Sequence, residues 1–136
     1  MKNQTIRYTE SPPVTFEALH SIYEKLGWNS IGLTVYELEK MCQQSWYAVY
    51  AYDGDKLVGM GRVISDGIIT GVICGLCVLP DYQAQGIGGK LMEALVEKCG
   101  SERVIPQLMC DGKLVGYYQR LGFEPFTVGM KKDGRR

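Results

Sequence analysis

Between Val78 and Lys90 the chain reads Val-Leu-Pro-Asp-Tyr-Gln-Ala-Gln-Gly-Ile-Gly-Gly-Lys, the stretch whose residue types and spacing most clearly suggest chemistry. A run of β-type residues stops at Pro80, Gly86, Gly88 and Gly89 follow, and an amphipathic pattern starts at Lys90. Strand, glycine loop and helix in that order leave unpaired N–H groups at the helix N-terminus, with little side chain to hold a ligand off. The natural guest is an anion such as a pyrophosphate.

Spacing chooses among phosphate loops. A Walker loop requires glycine where Ala84 stands and a hydroxyl where Leu91 stands. A dinucleotide fingerprint built on Gly86 and Gly88 requires a small residue in place of Leu91 and belongs near the start of a βαβ unit. What fits is Gln-x-x-Gly-x-Gly, formed by Gln83, Gly86 and Gly88 and preceded by Val-x-Pro-x-Tyr. This stretch resembles the acyl-CoA-binding motif of the GCN5-related N-acetyltransferase (GNAT) family. Most members carry glycine at the position of Ala84, and alanine donates the same N–H unless the position needs positive φ. A second run, Tyr117-Tyr118-Gln119-Arg120-Leu121-Gly122-Phe123, is similar to the aromatic-Tyr-x-x-Leu-Gly-Phe motif near the C-terminus of the same family. Two motifs in the family's order are more specific than either alone.

The resemblance implies roles. Gln83, Ala84, Gln85, Gly86, Ile87, Gly88, Gly89 and Lys90 would hold the pyrophosphate of acetyl-CoA through backbone N–H groups, helped by the helix dipole. Leu76, Cys77 and Val78 would pair with the pantetheine arm as a neighbouring strand does and lend an N–H to the thioester carbonyl. Without the resemblance they read as a buried strand, and the two readings are compatible. Tyr118 would be the general acid toward the departing thiolate, a reasonable task for a phenol of pKa about 10; its plain reading is a core tyrosine beside Tyr117. The first helices and their loop would shape the acceptor side, making Tyr23, Trp28 and Tyr36 candidate substrate contacts. Asp111 falls where many members place an asparagine that touches the cofactor, and it reads here as a helix cap. The central strand offers no carboxylate as general base. Asp66, the nearest acid, reads as a turn residue, and ordered water or an acceptor bound already neutral are the other routes.

Composition bounds the rest. A chain of 136 residues reads as one domain, 1–136, burying roughly 68% of its unfolded surface. Fifteen basic and fifteen acidic residues cancel, which argues against a polyanionic partner such as nucleic acid; Lys131 to Arg136 reads as a frayed basic tail. No apolar run reaches the roughly 18 residues of a membrane span. The start of the chain, with Lys2, Asn3 and Gln4, lacks a signal-peptide core, so the expected location is cytoplasmic. Five cysteines form no disulfide framework. Cys74 and Cys77 spell C-x-x-C inside an expected strand, where residues three apart face opposite sides unless a bulge intervenes. No metal site is expected. His20, alone of its type, reads as an incidental helical residue.

These groups need elements to carry them. Residues 4–9 read as a strand. Thr15 can cap a helix with Phe16, Leu19, Tyr23 and Leu26 on its apolar face, ending near Gly27. Thr34-x-x-Glu37 is a capping box for a second helix through about Gln44. Three antiparallel strands follow, 46–52, 57–64 and 68–79, turning at Asp53-Gly54 and Ser65-Asp66-Gly67. Gly59, Gly61, Gly71 and Gly75 within them signal bulges or close approach. After the glycine loop a helix with Leu91, Met92, Leu95, Val96 and Cys99 on one face ends at Gly100. A strand over 104–109 then pairs in parallel. Pro106 in that strand is compatible with the parting of the two strands that the resemblance implies. A short helix puts Leu114, Tyr117, Tyr118 and Leu121 inward, and Phe126 to Lys131 reads as a closing strand. The fold class is therefore α/β with a mixed sheet, antiparallel in its N-terminal strands, with one central parallel pair splayed for the cofactor.

The function expected is direct acetyl transfer from acetyl-CoA to the amino group of a small amine or amino compound. A homodimer is compatible with this. The rivals are a peptide or protein N-acetyltransferase, a non-catalytic acyl-CoA sensor, and a nucleotide-binding domain.

Overall fold

The computed structural model describes residues 5–133. The expected strand start at residue 4, the N-terminal residues Lys2 to Gln4 and the end of the basic tail lie outside the described residues. Five strands, β1 (Ile6–Thr9), β2 (Tyr47–Asp53), β3 (Lys56–Ser65), β4 (Thr70–Val78) and β5 (Ile105–Leu108), form one sheet in chain order. The first three pairings are antiparallel and the β4–β5 pairing is parallel. Helix α3 (Ile87–Ser101) makes the crossover between β4 and β5, as a parallel pair requires.

Alternation along β3 divides the sheet into two faces. A Cβ added at Gly59 or Gly61 would meet Leu91 or Leu95 of α3. The residues between and beside them, Met60 and Arg62, reach the opposite side, where Met60 Sδ meets Cys42 of α2 (Val35–Gln43). Helix α1 (Glu17–Lys25) covers the same face. The core lies between these layers, with Leu19, Leu38, Val58, Met60, Leu91 and Leu95 out of solvent.

Local signals explain most boundaries. Thr34 Oγ1 accepts from the Glu37 N–H at 3.1 Å and Glu37 Oε1 accepts from the Thr34 N–H at 2.9 Å, so the capping box opens α2. Helix α1 differs: Thr15 does not cap it, because Phe16, buried against the core, takes the N-cap position with no side-chain hydrogen bond. Helix α3 starts three residues before Lys90, since left-handed Gly86 serves as its N-cap. It also runs through Gly100, and Arg103 (φ 63) takes the left-handed position while the Val104 N–H returns to the Cys99 carbonyl.

Two features depart further from expectation. Residues 126–131 form no strand; Phe126, Val128 and Met130 are 62%, 80% and 90% exposed. The outer edge of β5 that would receive them is four residues long and contains Pro106, which has no N–H to give. With no strand there, the short helix α4 (Val115–Arg120) has little to pack on: Leu114, Tyr117 and Leu121 are exposed, and Tyr118 alone of the expected inward residues reaches the core.

Candidate active site

The β4–β5 ladder stops where the chemistry is expected. Its last pair is Ile73 with Leu108, where β5 ends, yet β4 continues to Val78, so Cys74 to Val78 have no strand partner on that side. Leu76, Cys77 and Val78 lie on that free stretch. Leu79 then returns to the sheet, its N–H donating to the Val58 carbonyl at 2.7 Å, and a 3-10 turn over Pro80–Tyr82 carries the chain to α3.

The loop itself is braced by side chains. Tyr82 Oη donates to Asp53 Oδ2 at 2.5 Å, and the neighbouring carboxylate pushes the phenol pKa up. Gln83 Nε2 donates to the Val78 carbonyl at 3.0 Å, and Gln85 Nε2 to that of Asp81 at 3.3 Å. Ala84 (φ 63) and Gly86 (φ 88) are both left-handed, which turns the chain sharply into α3. Ala84 therefore occupies a position that does need positive φ. The Lys90 N–H is the first to return to a loop carbonyl, that of Gly86, which leaves the N–H groups of Ile87, Gly88 and Gly89 without an intrahelical acceptor. A Cβ at Gly86 or Gly89 would meet nothing within 4 Å, so these backbones are bare. Bare N–H groups at the start of a 15-residue helix fit a diphosphate, and the unpaired edge of Leu76 to Val78 fits an extended amide-bearing arm.

Opposite the loop stands α4. A Cβ added to Gly88 would lie 3.6 Å from Tyr117 Oη, so the hydroxyl over the helix start is that of Tyr117. Tyr118 is half-buried, edge-on to Tyr117 at 5.0 Å and to Phe123 at 6.2 Å between ring centroids. Burial, and then Tyr117 and Cys110, push its phenol pKa above the ordinary value. It lines a cavity of about 760 Å³ between β5, α4 and the C-terminal segment, with Val72, Leu108 and Phe123. Asp111 caps the turn before α4, its Oδ1 accepting from the Lys113 N–H at 2.9 Å.

On the face of β4 toward α1 lie aromatic residues that the sequence offered as candidate acceptor contacts. The Tyr23 and Trp28 rings meet edge to face at 5.3 Å, whereas Tyr36 stands apart on α2, 66% exposed. Gly75 (φ 66) makes a bulge, so that Cys74 pairs with Arg62 and Cys77 with Met60. Cys74 and Cys77 consequently share a face, contrary to plain strand alternation. All five cysteines are free, and burial pushes the Cys74 and Cys77 thiols up, Cys77 to about 12. Asp66 is a turn residue whose Oδ1 accepts from the Ile68 N–H. Glu24 lies 3.7 Å from His20 Nε2 and Asn29 Nδ2 lies 3.4 Å from it. Sequence reasoning passed over Arg62; the one signal was a lone charge inside Val-Gly-Met-Gly-Arg-Val, an otherwise apolar strand.

A mixed sheet in which β4 outruns its parallel partner, a bare-backboned helix start beside the free strand end and a tyrosine pair opposite that helix start define an acyl-CoA-dependent acyltransferase architecture. Residues 45–125 match the acetyltransferase (GNAT) domain, and the chain belongs to the GNAT acetyltransferase family, whose enzymes use acetyl-CoA. A GNAT family acetyltransferase from Streptococcus pneumoniae is 32% identical, with a TM-score of 0.68 over 97% of this chain and 98% of that one. A Staphylococcus aureus protein of unknown function is 29% identical with a TM-score of 0.80, covering 96% of this chain and 100% of its own. GCN5-related N-acetyltransferase 2, chloroplastic, of Arabidopsis thaliana is 41% identical over 78 residues, 56% of this chain and 30% of the plant protein. The chain thus matches under a third of that relative's length. Among the described residues no helix is long and apolar enough to cross a membrane.

Proposed function

We propose that this protein transfers an acetyl group from acetyl-CoA directly to the amino group of a small amine or amino compound. One observation carries the reading: β4 outruns its parallel partner by five residues, Cys74 to Val78, beside the bare start of α3. Bound acetyl-CoA would supply an activated acyl group on a thiol leaving group.

The chain's own residues supply the rest. Backbone N–H groups from Ala84 to Gly89, with Gln83 and Lys90 flanking them, bind the diphosphate. The free edge of Leu76, Cys77 and Val78 orients the arm and offers an N–H to the reacting carbonyl, an interaction whose loss in comparable sites costs about 2.7–4 kcal/mol. Tyr118, kept protonated by burial, delivers a proton to the departing sulfur, while the proton the attacking amine loses passes to solvent, from which the phenol is restored. Tyr23 and Trp28 form the aromatic wall on the acceptor side, with Tyr36 outside it.

The test is a screen of amines and peptides with purified protein, following thiol release from acetyl-CoA. Turnover of small amines supports the proposal. Tight coenzyme binding with no thiol release from any acceptor would replace it by the sensor reading, and turnover of peptides alone by the protein-acetyltransferase reading.

A further inference from the structure

Arg62 is a cation without an anion. It lies on the face of β3 that looks toward α1 and α2, and its Nε is sealed from solvent with no hydrogen-bond partner. Its side-chain partners are neutral hydroxyls: Nη1 donates to Ser45 Oγ at a long 3.4 Å, and the Tyr23 phenol is its other hydrogen-bonding neighbour. Among the described residues no carboxylate lies within ion-pair distance of it. Its neighbours cannot substitute for one: burial raises the pKa of Tyr23 on α1 to about 12, that of Cys77 on β4 to about 12, and those of Cys42 on α2 and Cys74 on β4 above their ordinary value. At neutral pH every one of these groups is uncharged.

The bulge brings the β4 backbone up against this cation. A Cβ on Gly75 would lie 3.1 Å from Arg62 Nε and 3.4 Å from Tyr23 Oη, so the absence of a side chain there leaves the guanidinium and the phenol facing the β4 backbone together. Gly75 immediately precedes Leu76, where the strand edge proposed to hold the acyl donor begins. An anion held at Arg62 and an amine presented at Leu76 to Val78 are therefore separated by little more than one residue's reach, about 4 Å along the chain. The Tyr23 and Trp28 rings wall the same corner.

We infer that the acceptor carries a carboxylate a few bonds from its amine, in the manner of an amino acid, and that Arg62 binds that carboxylate. This rests on the acetyltransferase reading. A planar guanidinium grips a carboxylate through paired N–H donors, and the fork is lost when lysine replaces it. Arg62 touches no reacting atom in this scheme; it selects the substrate.

The experiment compares matched acceptors with the full chain: aromatic and alkyl amines with and without an α-carboxylate, and an amino phosphate of similar size. The expected result is kcat/KM at least tenfold higher for the carboxylated member of each pair, carried by KM. Arg62→Gln should collapse that ratio at least tenfold, and Arg62→Lys should restore only part of it. Coenzyme A binding by calorimetry and the melting temperature show that each variant is folded. Equal loss on both members of a pair in Arg62→Gln would make the residue merely structural and overturn the inference, as would wild-type preference for amines without an anion. Preference for the phosphate would overturn the carboxylate assignment. Coenzyme binding with no turnover of any amine would sink the acetyltransferase reading and this inference with it.

Discussion

Tyr117 Oη, not the hydroxyl of Tyr118, stands over the first turn of α3, 3.6 Å from where a Cβ of Gly88 would be. The two adjacent tyrosines thereby face different tasks. Tyr118, half-buried against Phe123, keeps its proton through the neutral range. As the proposed acid it must be protonated to act, so kcat should show no basic limb below the ordinary phenol value of 10.0. Tyr118→Phe should lower kcat on the order of 10²-fold while leaving coenzyme binding intact. Tyr117→Phe should instead weaken coenzyme binding. Stopped-flow thiol release and calorimetry separate the two, and a basic limb near neutral pH would remove Tyr118 from the role.

Ala84 is held at φ 63, a left-handed conformation that costs an L-residue about 1–2 kcal/mol. Ala84→Gly should relieve that strain. Glycine adds unfolded-chain entropy, so the net gain should be about 1 kcal/mol, read as a rise in the denaturation midpoint. An unchanged or lower midpoint would mean that the turn is relaxed around alanine.

Legibility in the sequence followed how local each signal is. Thr34 with Glu37, and Gln83 with Gly86 and Gly88, announce themselves within a few residues, because caps and helix starts are built from near neighbours. The order of β2, β3 and β4 could be read for the same reason, each hairpin turn lying between its own strands. Arg62 and Gly75 could not be paired from sequence, since the bulge exists only in the register between β3 and β4. That one extra residue also brings Cys74 and Cys77 to a common face. The alternation of Phe126, Val128 and Met130 promised a strand, but a strand needs an edge to join, and β5 with Pro106 offers a poor one.

The buried acids give stability a direction in pH. Cys77 ionises ordinarily at 9.0 and Tyr23 at 10.0, while in the folded chain both are pushed to about 12, chiefly by burial. The unfolded chain therefore releases these protons first. Their contribution to stability is complete below pH 9.0 and is lost progressively as pH rises toward about 12. Urea midpoints should fall as pH rises from about 9 toward about 12, and Cys77→Ala should flatten part of that fall. Midpoints independent of pH over this range would show that the buried groups ionise as freely folded as unfolded.

Gly89→Asp separates the helix from its proposed ligand, because the two should respond with opposite sign. A Cβ at Gly89 meets nothing within 4 Å, and its φ is ordinary, so the new side chain enters open space without strain. The first turn of α3 has no acidic residue, so a carboxylate there would favour the helix through its dipole by about 0.3–1 kcal/mol. The same negative charge would sit where the diphosphate is proposed to bind and would repel it while competing for the bare N–H groups. The melting temperature should hold or rise, and the affinity for coenzyme A should drop at least tenfold. Calorimetry and thermal melts on one preparation read both. If affinity survives the substitution, the N–H groups from Ala84 to Gly89 do not hold the coenzyme, whatever else this chain does with it.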